Sequence, residues 1–278
     1  MTRRFVSLLA LPAAAVSAFA ASAGCQTTAT PPPAPAAAPQ WQLLASELPS
    51  ALLSVSGRAA DDVYAVGADK GQGPLVLHFD GKGWKAVKTG VTGDLWWVQA
   101  HADCRALMGG GSASVLRFAG GRFERLPTPG LGKQTVYGVW GKTADDFYAV
   151  GSAAGRDGFV WRYHDGRFDS ETLPLELPRM PGGEVPGFFK VWGAGDDVWV
   201  VGAAGAIMHR KGSGPFAVVP SGTKDTIFTV HGTGDRLLAV GGAGNGVLLQ
   251  GPSPLHDSAP TGMASSRASS RATSTATG

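Results

Sequence analysis

One six-residue phrase recurs along this chain and limits what it can fold into. It reads Asp62-Val63-Tyr64-Ala65-Val66-Gly67, Asp146-Phe147-Tyr148-Ala149-Val150-Gly151 and Asp197-Val198-Trp199-Val200-Val201-Gly202. Looser copies run from Cys104 to Gly109 and from Arg236 to Gly241. The closing glycines at 67, 109, 151, 202 and 241 stand 42, 42, 51 and 39 residues apart. A fixed period of roughly forty residues requires an array of equal supersecondary units.

Each unit divides into four short apolar runs. In the first they are Leu52–Ser56 (run A), Val63–Val66 (B), Leu75–Phe79 (C) and Trp84–Val87 (D). Runs this short and this rich in β-branched and aromatic residues read as strands. Glycine, aspartate and proline separate them. Asp80-Gly81 and Asp165-Gly166 join C to D and suit the positive φ angles of a two-residue type I′ hairpin; the second unit uses Gly120-Gly121. The aspartates opening run B are placed to accept hydrogen bonds from turn amides. No segment sustains a 3.6-residue apolar period, so a helical solenoid is excluded. Four antiparallel strands per unit describe a blade, and the fold class is an all-β propeller of about five blades. Run B is apolar on consecutive residues, as a strand covered on both faces should be. A proline-rich insertion at 174–187 accounts for the one long interval.

The fifth unit has runs A, B and C (Val247–Leu249) and lacks a clear D. Trp41–Leu44 resembles a D run, so an N-terminal strand is expected to complete the last blade and remove an open edge. The rival reading is an array cut short from six or seven blades, because the pattern stops at Pro252. From residue 251 to 278 the chain is dominated by Ser, Ala, Thr and Arg, a composition that does not support a core. The propeller is accordingly assigned to 41–250.

Residues 1–24 read as a leader: Arg3 and Arg4, an alanine-rich apolar stretch from Phe5 to Ala21, then small residues. Ser22-Ala23-Gly24-Cys25 resembles the lipobox of bacterial lipoproteins, with Ser22 where that family usually has leucine. The resemblance implies lipidation of Cys25 and anchoring in a membrane; Gln26 after the cysteine favours the outer membrane of a Gram-negative cell. Plain cleavage near Ala21 or Ala23 is the alternative. Residues 25–40, with five prolines and no charge, form a semi-extended tether. Cys104, at the start of a B run, reads as a small buried apolar residue, and there is no disulfide framework.

The whole-chain pI near 8.9 comes from the ends. Residues 41–250 hold 20 basic and 20 acidic side chains, so no basic surface for nucleic acid is expected. The ends of the A runs place Ser56, Trp140, Trp192 and His231 at one repeated position, with Gln99–His101 nearby. Two roles are open to Trp140, Trp192, His231 and His101: packing between blades, or a ligand-facing ring at one mouth of the channel. The pairs Asp61-Asp62, Asp145-Asp146 and Asp196-Asp197 fall in register with the turns, which explains them without a metal. No cofactor is expected. His78 and His209 share one C-run position.

The string Val191-Trp192-Gly193 with Asp196–Gly202, and the His78-Phe79-Asp80-Gly81 element, resemble repeats of exported propeller proteins of soil and predatory bacteria. Some of those are of sialidase (BNR) or Kelch-like type. The resemblance spans Ala51–Gln250 and implies the fold without implying an activity. The motif patterns of metalloproteases, serine hydrolases and P-loop proteins do not occur. The reading is therefore a monomeric, non-enzymatic envelope lipoprotein that binds an envelope protein or glycan. The alternative is a carbohydrate-active hydrolase or lyase with its site at the channel mouth, drawing on Asp94, Asp157 or Glu184.

Overall fold

The computed structural model describes residues 41–233 and 236–251; the leader, Cys25, its tether and the tail beyond Gly251 lie outside the described residues. Blade 1 is β1 (Leu52–Ala59), β2 (Asp62–Asp69), β3 (Pro74–Phe79) and β4 (Trp84–Ala86). Blade 2 is β5 (Leu95–Ala100), β6 (Ala106–Gly110), β7 (Ser114–Ala119) and β8 (Arg122–Arg125). Blade 3 is β9 (Thr135–Thr143), β10 (Asp146–Ala153), β11 (Arg156–His164) and β12 (Arg167–Ser170). Blade 4 is β13 (Phe188–Ala194), β14 (Asp197–Gly202), β15 (Ile207–Lys211) and β16 (Ala217–Val218). Blade 5 is β17 (Ile227–Thr233), β18 (Arg236–Gly241) and β19 (Val247–Gly251). Each blade is an antiparallel meander in sequence order, and the chain is an all-β propeller array of five blades. The first strands β1, β5, β9, β13 and β17 pack one on the next, so they form the inner wall.

The closing glycine explains the repeat. A Cβ on Gly67, Gly110, Gly151, Gly202 or Gly241 would overlap the carbonyl oxygen of Ala51, Asp94, Thr135, Gly187 or Thr226 respectively. That carbonyl stands just before or at the start of the inner strand. In four blades it also accepts the amide of the residue after the glycine: Ala68 to Ala51 at 2.9 Å, Gly111 to Asp94 at 2.9 Å, Ala203 to Gly187 at 2.9 Å and Gly242 to Thr226 at 2.8 Å. The contact identifies Gly110, not Gly109, as the glycine of blade 2.

That one-residue shift corrects Cys104 as well. Strand β6 starts at Ala106, and Cys104 is an exposed residue in the preceding turn with φ 64°. Successive strand residues face opposite sides, so an alignment slipped by one buries the wrong residue.

Each inner strand carries a bulge at the same height near its start. The register skips Leu53, Trp96, Tyr137, Phe189 and Phe228, each the second residue of a paired apolar start. A bulge leaves one residue unpaired and re-aims its side chain.

Apolar clusters fill the four junctions between consecutive blades. Tyr64, Val66 and Val76 meet Leu95, Val98 and Met108; Leu107 and Val115 meet Val136, Val139 and Phe147. Val150, Val160 and Tyr148 meet Phe188, Val191 and Val200; Val201 and Ile207 meet Ile227, Val230 and Leu237. No cluster among the described residues joins blade 5 to blade 1.

The strand expected at Trp41–Leu44 is absent. These residues carry no strand, and Trp41, Leu43 and Leu44 are exposed. The fifth sheet has three strands among the described residues.

The hairpins also differ from one another. Asp165-Gly166 and Gly120-Gly121 form two-residue turns with positive φ at both positions, 49° and 80°, and 56° and 80°. The blade 1 turn spans four residues, because Phe79 pairs with Trp84. There the Asp80 carboxylate accepts the amides of Lys82 and Gly83, each at 3.1 Å. The insertion at 174–187 is anchored by buried Leu177 and by the bridge between Arg156 and Pro186.

Replacing Gly202 by alanine should destabilise the fold by roughly 3 kcal/mol or more, because the obstacle is backbone that cannot move aside. Gly83→Ala, where an added Cβ meets nothing within 4 Å, should stay within about 0.5 kcal/mol. Chemical denaturation of the two variants beside the parent checks both.

Candidate functional site

The residues at the ends of the inner strands act between blades. The Ser56 hydroxyl accepts the amide of Ala100 at 3.0 Å. The Gln99 amide accepts from Gly141 N at 2.9 Å and donates to Gly141 O at 3.0 Å. The rings of Trp140 and Trp192 lie on Gly193 and Gly232, where any Cβ would overlap them. Each blade thus lays one side chain on the backbone of the next. Exposed His231 leans on Trp192 with ring centroids 5.4 Å apart. His101 is buried, its Nε2 without a hydrogen-bond partner, and burial holds its pKa below the ordinary histidine range. The structure brings Trp192 and His231 together and places Trp140 in a different cleft.

That cleft, of about 460 Å³, lies between blades 3 and 4 and is lined by Trp140, Tyr148, Arg162, Asp146, Lys142 and Asp196. Its charges are already paired. Arg162 holds Asp146 through two bonds of 2.9 and 3.0 Å, which lowers the carboxyl pKa, and Lys142 pairs with Asp196.

The aspartates opening the second strand do not cap the turn. Their carboxylates run along the sheet to a basic residue on the third strand: Asp62 to His78 Nε2 at 2.6 Å, Asp197 to His209 Nε2 at 2.6 Å, and Asp146 to Arg162. The turn amides of Asp145 and Asp146 bond to the Thr143 hydroxyl instead. The aromatic two residues on covers the basic group. Tyr64 stacks on His78 at 4.3 Å, Trp199 stacks on His209 at 4.0 Å, and Arg162 lies 5.8 Å from the Tyr148 ring. Burial raises the Tyr64 hydroxyl to about 12. In blade 2 Arg105 replaces the aspartate. It and Arg117 share Asp145 of blade 3, each at 2.6 Å, and so tie two blades together. Two of the three carboxylates named for catalysis have partners: Asp94 accepts the amide of Asp69 at 2.8 Å, and Glu184 pairs with Arg156 at 3.3 Å.

The inner wall was not legible as a site from the repeated strand ends. The five bulged residues hold one position on successive inner strands, and four of them touch ring to ring. Trp96 meets Tyr137 at 5.4 Å, Tyr137 meets Phe189 at 5.3 Å, and Phe189 meets Phe228 at 5.6 Å. Trp96, Phe228 and Leu53 are exposed, while Tyr137 and Phe189 are partly so. The signal was present in the sequence: Leu53, Trp96, Tyr137, Phe189 and Phe228 each follow one apolar residue with another, where an alternating strand would place a polar one.

One position further along, the inner wall carries Ser54, Trp97, Gly138, Lys190 and Thr229. The Lys190 ammonium sits 3.0 Å above the Trp97 ring centroid, with side-chain-free Gly138 on the strand between them. Lys190 is 6% exposed, and among the described residues no carboxylate is within ion-pair distance. Burial alone pushes its pKa down to about 7.

No protein-family model matches the chain, and no curated protein matches it. Solved structures do. YCF48 bound to D1 peptide is 14% identical, with a TM-score of 0.55, over 81% of this chain and 69% of that one. The computationally designed Ika8 protein is 12% identical, with a TM-score of 0.54, over 73% of this chain and 58% of that one. At such identities the likeness is one of fold, and the fold is the β-propeller.

Lys190 gives a pH dependence whose sign follows from proton counting. Unfolded, the amine holds its proton up to about 10.5; folded, it releases it near 7. Between those values the unfolded chain binds more protons, so stability rises with pH across that window and is lowest below it. Lys190→Met should stabilise the protein below pH about 7, by on the order of 5 kcal/mol less what the indole contact supplies, and should flatten the rise. Denaturation midpoints of parent and variant across that range check it.

Proposed function

We propose that this chain is a non-enzymatic binding propeller of the bacterial cell envelope, and that its inner-wall aromatic arc holds a segment of an envelope protein. The carrying observation is the arc itself: Trp96, Tyr137, Phe189 and Phe228 make one apolar strip across four blades, and Leu53 holds the same bulged position in blade 1. Aromatic side chains offer large contact area at low entropic cost, and they concentrate binding energy at interfaces. A strip of rings tilted edge to face presents a ridged apolar surface, which suits the alternating side chains of an extended polypeptide. The propeller YCF48, solved with a peptide, lends support by fold analogy only.

In this reading Cys25 carries lipid, the residue 25–40 tether spans from the outer membrane to the first blade, and the repeat type is that of exported propeller lipoproteins. The support is the leader and lipobox-like sequence. The charge balance of 41–250 argues for a protein or glycan partner rather than nucleic acid.

Trp96→Ser and Phe228→Ser remove two exposed members of the arc. Each should weaken capture of a protein partner from solubilised envelope by about tenfold, corresponding to a loss of about 1.4 kcal/mol, without changing the fold. Binding that survives both substitutions would remove the arc as the site. Retention on purified polysaccharide but on no envelope protein would shift the reading to a glycan. Palmitate labelling of the expressed chain, abolished by Cys25→Ser, tests the anchor separately.

A further inference from the structure

The four junctions inside the chain define what a blade packs on, and both ends of the array carry half of such a junction. On the incoming side, the valine of the inner strand is no more than 2% exposed in blades 2 to 5, at Val98, Val139, Val191 and Val230. Its counterpart in blade 1, Val55, is 66% exposed. On the outgoing side, the third-strand residue is no more than 1% exposed at Val76, Val115, Val160 and Ile207, whereas Leu248 in blade 5 is 57% exposed. Leu238 and Val240 beside it are exposed too, although their counterparts Tyr148 and Val150, or Trp199 and Val201, are buried.

The strand-end contacts tell the same story from polar and aromatic atoms. Ser56, Gln99, Trp140 and Trp192 each lie on the following blade's backbone, at Ala100, Gly141, Gly193 and Gly232. His231 occupies the same place in blade 5, and among the described residues no further blade lies against it. Gly57 occupies the receiving place in blade 1, where the nearest atoms to an added Cβ all belong to its own blade.

We propose that these two faces are the halves of one head-to-tail interface, through which blade 5 of one copy of this chain packs on blade 1 of a second copy. Complementarity specifies the partner: the outgoing face of blade 5 repeats the pattern that blades 1 to 4 present to their successors, and the incoming face of blade 1 repeats what blades 2 to 5 present. His231 of one copy covers Gly57 of the other, as Trp192 covers Gly232. The contact uses different surfaces on the two copies, so it is heterologous and either closes into a ring or continues as an open assembly. Apolar faces of this kind rarely stay uncovered in water. The proposal is independent of what the inner wall binds.

The test uses the full chain in sedimentation analysis. The parent should gain mass as its concentration rises. Val55→Asp and Leu248→Asp should each remain monomeric alone. Mixed, they should form a one-to-one dimer and nothing larger, because only one intact junction can be assembled. A parent that is monomeric throughout, or a mixture that stays apart, overturns the proposal. Circular dichroism establishes that both variants fold.

A second measurement guards against variants that do not. Gly57→Cys with His231→Cys, in a background carrying Cys25→Ser and Cys104→Ser, should oxidise to a ladder of linked copies. A cross-linked monomer would mean that the ends of one chain meet, and would overturn the head-to-tail interface.

Discussion

Everything in this propeller hangs on the approach of one carbonyl oxygen to one glycine in each blade. The backbone before the inner strand comes so close to the end of the second strand that no side chain can stand there. The amide beyond the glycine closes the contact in blades 1, 2, 4 and 5. With the top of the strand pair fixed in this way, the extra residue of the inner strand is accommodated immediately after it as a bulge. The bulge in turn sets which inner-strand side chains face the junction and which face the axis. The fixed height of the glycine therefore determines where the aromatic arc runs.

Polar pairs hold the rest of the blade in register. The Asp62–His78–Tyr64 and Asp197–His209–Trp199 arrangements place a carboxylate, an imidazole and an aromatic ring on one face of three adjacent positions. Slipping the strands by one residue would move the partners to opposite faces and leave buried polar atoms unpaired. Blade 3 achieves the same with arginine. Blade 2 has given up its own aspartate and borrows Asp145 from blade 3, which converts a bond within a blade into one between blades.

The strand runs, their order and the insertion were legible in the sequence because short apolar runs between glycines and aspartates admit few other readings. Blade 2 was legible only to within one residue. Three consecutive glycines, Gly109 to Gly111, leave the closing position ambiguous until the Asp94 carbonyl is seen, and the placement of Cys104 fell with it. Tryptophans at the strand ends stand out in a sequence, but their contact with a glycine 40 or 53 residues away is invisible there. The bulged aromatics were hidden for the opposite reason: Phe188-Phe189 or Val136-Tyr137 reads as a continuous core strand unless a bulge is assumed. The strand expected at Trp41–Leu44 rested on its likeness to a D run, and a local pattern of that kind does not say whether a partner strand is there to pair with it.

Repeat arrays ordinarily behave as a line of units in which each feels only the unit on either side. The Lys190–Trp97 contact breaks that rule, since it links blades 2 and 4 directly above Gly138 of blade 3. Substitutions in those two blades should not combine additively, although no strand of one pairs with a strand of the other. A side chain introduced at position 138 would be felt by three blades at once. Blades 2 to 4 are thus a single cooperative block.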